Sequence, residues 1–291
     1  MPEAVALWQA HDVARTESTL RDLKGALGPV GIPFIVLKGV HLGAVYYPRP
    51  EDRPHQDIDV LVPPPEFDRA CEVLTRAGFE RMAPLPDRSA TEREFYNYAF
   101  TSRAGFGVEV HRDWAGYGRY PIDAKGLFER AVPFSYGKTK VLGLAPEDLL
   151  LHLCVHQAKG YFASHEFKHV KDLGVLLTGH PVDWPVFLAR ARAARCRIGA
   201  YYALLSAREQ CAAPVPQEVL DDLRPAAWRR GWIERTLAPG KFPLCVIPYT
   251  RMGRIQARLA LPLLDRPSDW IPVLARFLNV RIEDWLVARR S

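Results

Sequence analysis

Asp57-Ile58-Asp59-Val60-Leu61-Val62-Pro63-Pro64-Pro65 is the segment from which the rest of the chain can be organised. Aliphatic residues alternate with acids, and three consecutive prolines, which lack a backbone donor, stop the run. In an extended strand, residues two apart project to the same face. Asp57 and Asp59 therefore share one side, and Ile58, Val60 and Val62 share the other. One face is acidic and the other is core. Glu66 to Ala77 then carries helical spacing that ends at Gly78, giving a strand–loop–helix unit. Two carboxylates this close repel each other unless a cation neutralises them, and hard oxygen ligands with open water positions suit Mg²⁺. The plainer alternative, a strand edge bearing two solvated acids, has to be weighed against what surrounds the pair.

Upstream, Glu3 to Leu27 has helical spacing of apolar residues, with Gly25, Gly28 and Gly31 as breakers. Ile32 to Leu37 is a short apolar run that reads as a buried strand, followed by Lys38-Gly39 and a short helix over His41 to Tyr47. At such a strand-to-helix turn, free backbone N–H groups, the helix dipole and an ammonium can converge on phosphate. The proline-rich stretch Tyr47 to Pro54 is a loop. Downstream, Glu94 to Thr101 and Phe106 to His111 read as a hairpin. Alternation puts Val108 and Val110 on one face of its second strand and Glu109 with His111 on the other. Placed beside Asp57 to Val62, that strand makes Glu109 a third carboxylate. Three acids can bridge two metal ions about 3.5–4 Å apart.

From Pro146 onward the pattern is helical, with helices expected over 146–160, 165–178, 184–210, 216–237 and 270–288. Two domains are expected, a catalytic one over 1–140 and a helical one over 141–291. The chain has 291 residues, 48% hydrophobic and 25% charged, and a net charge of +6. No apolar run approaches the roughly 18 residues of a membrane span, and MPEAVALWQAHD does not read as a secretory signal. A cytoplasmic location is expected. The five cysteines are scattered without a CxxC pair, which disfavours a disulfide framework or zinc ribbon, so they read as small buried residues. The basic balance suits an anionic partner. Nucleic acid is not favoured, because no stacking-aromatic or groove-reading motif accompanies it.

The ordered set IPFIVLKG, YYPRPEDRPHQDIDVLV, AGFE, VEVHRDW, LAPEDLLLHLCVHQAKGY and HVKDLGVLL resembles bacterial nucleotidyltransferase-family proteins distantly related to DNA polymerase beta, most clearly over residues 30–180. The resemblance implies an α+β fold: a nucleotidyltransferase-type mixed sheet with flanking helices, followed by a helical C-terminal region. It also implies a pair of Mg²⁺ ions, with Mn²⁺ as an alternative, on Asp57, Asp59 and a third acid, here Glu109. Many superfamily members carry Gly-Ser where this chain has Lys38-Gly39, and Asp is more usual than Glu at the third acid. Lys38 and Gly39, with Arg53 and His55 on the loop before the dyad, are the expected nucleotide-binding residues. His111 is expected either to steady a carboxylate or to pack against Trp114.

The activity so implied is transfer of a nucleoside monophosphate from a nucleoside triphosphate to an acceptor (a small molecule, peptide or protein), with pyrophosphate released. The alternative is a catalytically inactive nucleotide- or peptide-binding module on the same fold. His152/His156 and His165/His169 have zinc-like spacing but lack an HExxH pattern, and read as helix-contact residues.

Overall fold

The alternating segment forms a strand, β2 (Asp57–Leu61), in the middle of a mixed sheet. The computed structural model describes residues 2–82, 97–114, 120–160, 162, 168–237, 258–259 and 261–271, with side chains from residue 12 onward. Within these, β1 (Ile35–Val36), β2, β3 (Glu80–Arg81), β4 (Asn97–Thr101), β5 (Gly107–His111), β6 (Val132–Tyr136) and β7 (Thr139–Gly143) pair in the order β3-β4-β5-β2-β1-β7-β6. The fold is α+β.

Strand β2 runs parallel to β5, with Asp59 opposite Glu109 and Leu61 opposite His111, and antiparallel to β1. Strands β4 and β5 form the expected hairpin, and residues 94–96 of its first strand lie outside the described residues. Ile58, Val60, Val108 and Val110 are buried and join one core with Leu20, Leu23 and Leu27 of α1 (Pro2–Leu27) and Phe67, Ala70, Cys71 and Leu74 of α3 (Phe67–Arg76). Helix α3 buries residues spaced three and four apart and exposes Asp68, Arg69, Glu72 and Arg76. Each buried aliphatic side chain contributes about 1.5–3 kcal/mol. That one-sided burial orients the sheet and leaves the acidic side of β2 for other use.

Several boundaries differ from expectation. The first strand is two residues long, and α2 (Lys38–Val45) begins at Lys38 rather than His41. The hairpin β6–β7 has no counterpart in the sequence reading, because Pro133 argues against a strand there. Strand β6 is an edge, where a missing donor is tolerated. Its two-residue loop starts with Gly137 at φ +56°, the position a type II′ turn gives to glycine. Just before it, α4 (Ala124–Arg130) is capped by Asp123, which accepts from the Gly126 N–H at 3.0 Å.

Helix α5 (Pro146–Lys159) and α6 (Lys168–Gly179) follow. The expected helix over 184–210 is two, α7 (Trp184–Ala193) and α8 (Arg197–Cys211), broken where Arg195 adopts φ +51°. The Asp265 carboxylate accepts from the Arg197 and Ile198 N–H groups and so caps α8 from 67 positions down the chain. The helix expected over 216–237 is also two, α9 (Gln217–Leu223) and α10 (Ala227–Leu237), parted at Arg224-Pro225, where the residue before proline is forced extended. Most of the helix expected over 270–288 lies outside the described residues.

Two compact units emerge. The first comprises Met1–Gly118, Ile122–Leu153 and Val175–Asp183 and contains the sheet; the second comprises Arg119–Pro121, Cys154–Gly174 and Trp184–Ser291. Cys71, Cys154 and Cys196 are buried and Cys211 is half-buried, all as free thiols; Cys245 lies outside the described residues. No described helix is long and apolar enough to cross a membrane.

Candidate active site

Because β2 and β5 are adjacent, parallel and in register, alternation brings Asp57, Asp59, Glu109 and His111 to one side of the sheet. Asp59 and His111 are each 4% exposed. His111 Nε2 lies 2.9 Å from Asp59 Oδ1 and 3.3 Å from Glu109 Oε2. The Asn97 side-chain amide donates to Glu109 Oε2 at 2.7 Å. Asp57 is half-buried on the same strand, opposite Gly107.

Lys38 enters from the turn between β1 and α2. The Leu37 N–H donates to the Asp59 carbonyl at 2.8 Å, tying that turn to β2. Lys38 itself has φ +33°, an uncommon backbone for a residue with a Cβ, and its Nζ stands 3.0 Å from Asp59 Oδ1. Strain of this kind costs on the order of 1–3 kcal/mol and collects at functional sites. Gly39 follows with no room to spare: a Cβ there would meet His55 Cβ at 3.2 Å and Arg53 Nη1 at 3.5 Å.

These contacts set the charges. Burial opposes ionisation of Asp59, but Lys38 and His111 outweigh it and hold the carboxyl well below the ordinary carboxylate range. A hydrogen bond from His111 likewise lowers Glu109 against the effect of burial. Burial alone would lower His111 and Lys38, yet the neighbouring carboxylates raise both. Asp57 moves the other way, pushed up by burial and by the charge of Asp59.

Arg53 is buried and donates to the Pro54 carbonyl at 2.7 Å. His55 bridges Thr16 Oγ1, at 2.9 Å from Nε2, and the Arg53 carbonyl, at 3.3 Å from Nδ1, and burial lowers its pKa. Both side chains sit against the start of α2. Of the two expectations for His111, the structure puts the ring on the carboxylates; Trp114 stacks near His152, their centroids 5.8 Å apart. His156 and His169 meet edge to face at 4.8 Å, and His165 lies outside the described residues.

Among the described residues, Asp59, Glu109 and His111 offer ligand atoms that all lie within 4.8 Å of one another. Two carboxylates and an imidazole on a rigid sheet are a donor set that fits a divalent ion. Asn97 was not anticipated. The hairpin register could have identified it, since Ala99 pairs with Glu109 and Asn97 is then the diagonal neighbour on the same face. The pairing of Lys38 with Asp59 also escaped the sequence, because nothing local says which way a lysine at a turn will reach.

A family model described as uncharacterised nucleotidyltransferase matches residues 6–211. No curated protein matches. Among solved structures, an antigenic nucleotidyltransferase-like protein from Paracoccidioides brasiliensis is 13% identical, with 71% of this chain and 91% of that one covered and a TM-score of 0.47. The antibiotic-resistance factor ANT(2'')-Ia is 16% identical, covering 67% and 97%, with a TM-score of 0.41. The lincomycin-bound lincosamide antibiotic adenylyltransferase LnuA is 12% identical, covering 52% and 89%, with a TM-score of 0.34.

Proposed function

Since the chain belongs to the uncharacterised nucleotidyltransferase family, we propose that it is a Mg²⁺-dependent enzyme that moves a nucleoside monophosphate from a nucleoside triphosphate such as ATP to an acceptor. The observation that carries this reading is the convergence of Asp57, Asp59 and Glu109 on one face of two adjacent strands, under a turn that presents Lys38. In this proposal Asp57, Asp59 and Glu109 hold two ions, for which Mn²⁺ can substitute. When bound, the ions supply charge against the phosphates and align the attacking and leaving oxygens.

The remaining work falls to the chain. Lys38 has three N–H donors and uses one on Asp59, so the others can meet a β- or γ-phosphate. Backbone N–H groups at the start of α2 face the same anion, and Gly39 lets it approach closely. Arg53 and His55 support that turn from the loop and set its position. The acceptor hydroxyl oxygen bonds to the α-phosphorus as the bond from α-phosphorus to the bridging oxygen breaks. Pyrophosphate leaves with the electron pair, and the hydroxyl proton passes to the carboxylate set, with Glu109 as the base. Residues 1–140 form the catalytic domain of this reading and 141–291 a helical one. A reaction fed by nucleoside triphosphate suits the cytoplasm.

A second reading has an observation of its own: Lys38 and His111 already neutralise Asp59, as they would in a binding module that needs no ion. Pyrophosphate release decides between them. With Mg²⁺, labelled triphosphates and a panel of small-molecule, peptide and protein acceptors, the wild type should release pyrophosphate and the Asp57→Asn/Asp59→Asn double variant should not. Equal release by both refutes the catalytic assignment; triphosphate binding without release under any condition favours the binding module.

A further inference from the structure

We infer that His111 is itself a ligand of the ion held by Asp59 and Glu109, so that one ion position has a mixed oxygen and nitrogen donor set and takes Mn²⁺ in preference to Mg²⁺. The inference rests on the proposed function and concerns which atoms complete its site. Around an octahedral ion with bonds of about 2.1 Å, neighbouring donors at right angles lie roughly 3.0 Å apart. His111 Nε2 is already 2.9 Å from Asp59 Oδ1 and 3.3 Å from Glu109 Oε2. Two of the three donor separations therefore match adjacent ligand positions, and the third is within 4.8 Å.

The surroundings match a ligand set too. Ligating carboxylates are commonly steadied by hydrogen bonds from outside the coordination sphere. Asn97 does this for Glu109 Oε2, and Lys38 does it for Asp59 Oδ1. A carboxylate oxygen has two lone pairs, so Oδ1 can keep Lys38 on one while the other serves the ion. His111 must then present Nε2 without its proton, the form in which imidazole binds metal. Mg²⁺ has little affinity for imidazole, whereas Mn²⁺ accepts mixed carboxylate and imidazole ligands. The two ion positions thereby become unequal: Asp57 lies outside the cluster of Asp59, Glu109 and His111, and is left to the all-oxygen position.

Pulsed electron paramagnetic resonance of Mn²⁺ added to the full chain, grown with ¹⁵N-labelled histidine, tests this directly. A bound ion should show hyperfine coupling to a directly ligated ¹⁵N nucleus, and the coupling should vanish in His111→Gln, which keeps a hydrogen-bond donor but no ring nitrogen. Calorimetry on the same pair should show Mn²⁺ affinity falling about tenfold or more, with Mg²⁺ affinity nearly unchanged. A wild-type Mn²⁺ complex without ¹⁵N coupling, coupling that survives in His111→Gln, or no Mn²⁺ bound at all overturns the inference. If coupling is absent while metal-dependent pyrophosphate release persists, the ligand assignment falls and the proposed function stands. Coupling without release from any triphosphate and acceptor does the reverse.

Discussion

His41 on α2 and His111 on β5 are buried to nearly the same depth in two different regions of the sheet unit, and their pKa values move in opposite directions. His41 is 0% exposed, its ring 4.7 Å from Phe134, and so close to β7 that a Cβ on Gly143 would fall 2.5 Å from His41 Cε1. Neither of its ring nitrogens has a hydrogen-bond partner among the described residues. Burial pushes its pKa down to about 4. His111, 4% exposed, lies between two carboxylates that raise its pKa in spite of burial. Depth does not decide whether an imidazole carries charge in this protein; the neighbours do. One region is an apolar seam that a histidine happens to fill, and the other is a charge cluster held together by it.

The largest effect should come from breaking the charged region. Asp59→Asn leaves Lys38 and His111 without their shared carboxylate, and losing one partner of a buried ion pair costs roughly 3–5 kcal/mol. Because the Lys38 side chain is 20% exposed and can turn to solvent, the low end is expected, read from denaturant unfolding at pH 7. A change below about 1 kcal/mol would mean the cluster contributes no more than a surface pair.

A pH series sharpens the contrast, because the two histidines act on opposite sides of 6.5. His41 has a folded pKa near 4 and an unfolded one of 6.5, so stability is intact above 6.5 and declines by up to about 3 kcal/mol as pH falls toward 4. The His41→Leu variant should lose this acid decline relative to wild type. His111 has a raised folded pKa, so its contribution is fully present below 6.5 and fades as pH rises through the folded value. His111→Gln should flatten only that alkaline limb. Parallel profiles for the two variants would erase the distinction. The smallest effect is expected from Asn97→Ala, which removes one donor from the half-buried Glu109 and should cost about 1 kcal/mol by thermal unfolding.

How much of this was legible depends on the distance over which each feature is decided. The acidic and apolar faces of β2 and β5 follow from alternation alone, which groups Asp57 with Asp59 and Glu109 with His111. Pairing β5 beside β2 could only be supposed, since parallel neighbours are chosen by the whole sheet. The break at Arg195 was hidden for the same reason: its cap, Asp265, comes from far along the chain. Pro225, by contrast, marks the split between α9 and α10 locally. At the site, sequence could assign Lys38 a charge but not a partner, and Arg53 a place in the loop but not its burial.

The dipeptide at 38 and 39 cannot be written backwards. A glycine in the first place would relax the left-handed backbone at φ +33° but would carry no ammonium to Asp59, and a lysine in the second would drive its Cβ toward His55. The chain keeps its one side chain at the position where the backbone objects to it, and keeps the following position bare. A reversed Gly-Lys version would therefore lose the ammonium on Asp59 at the first position and crowd His55 at the second.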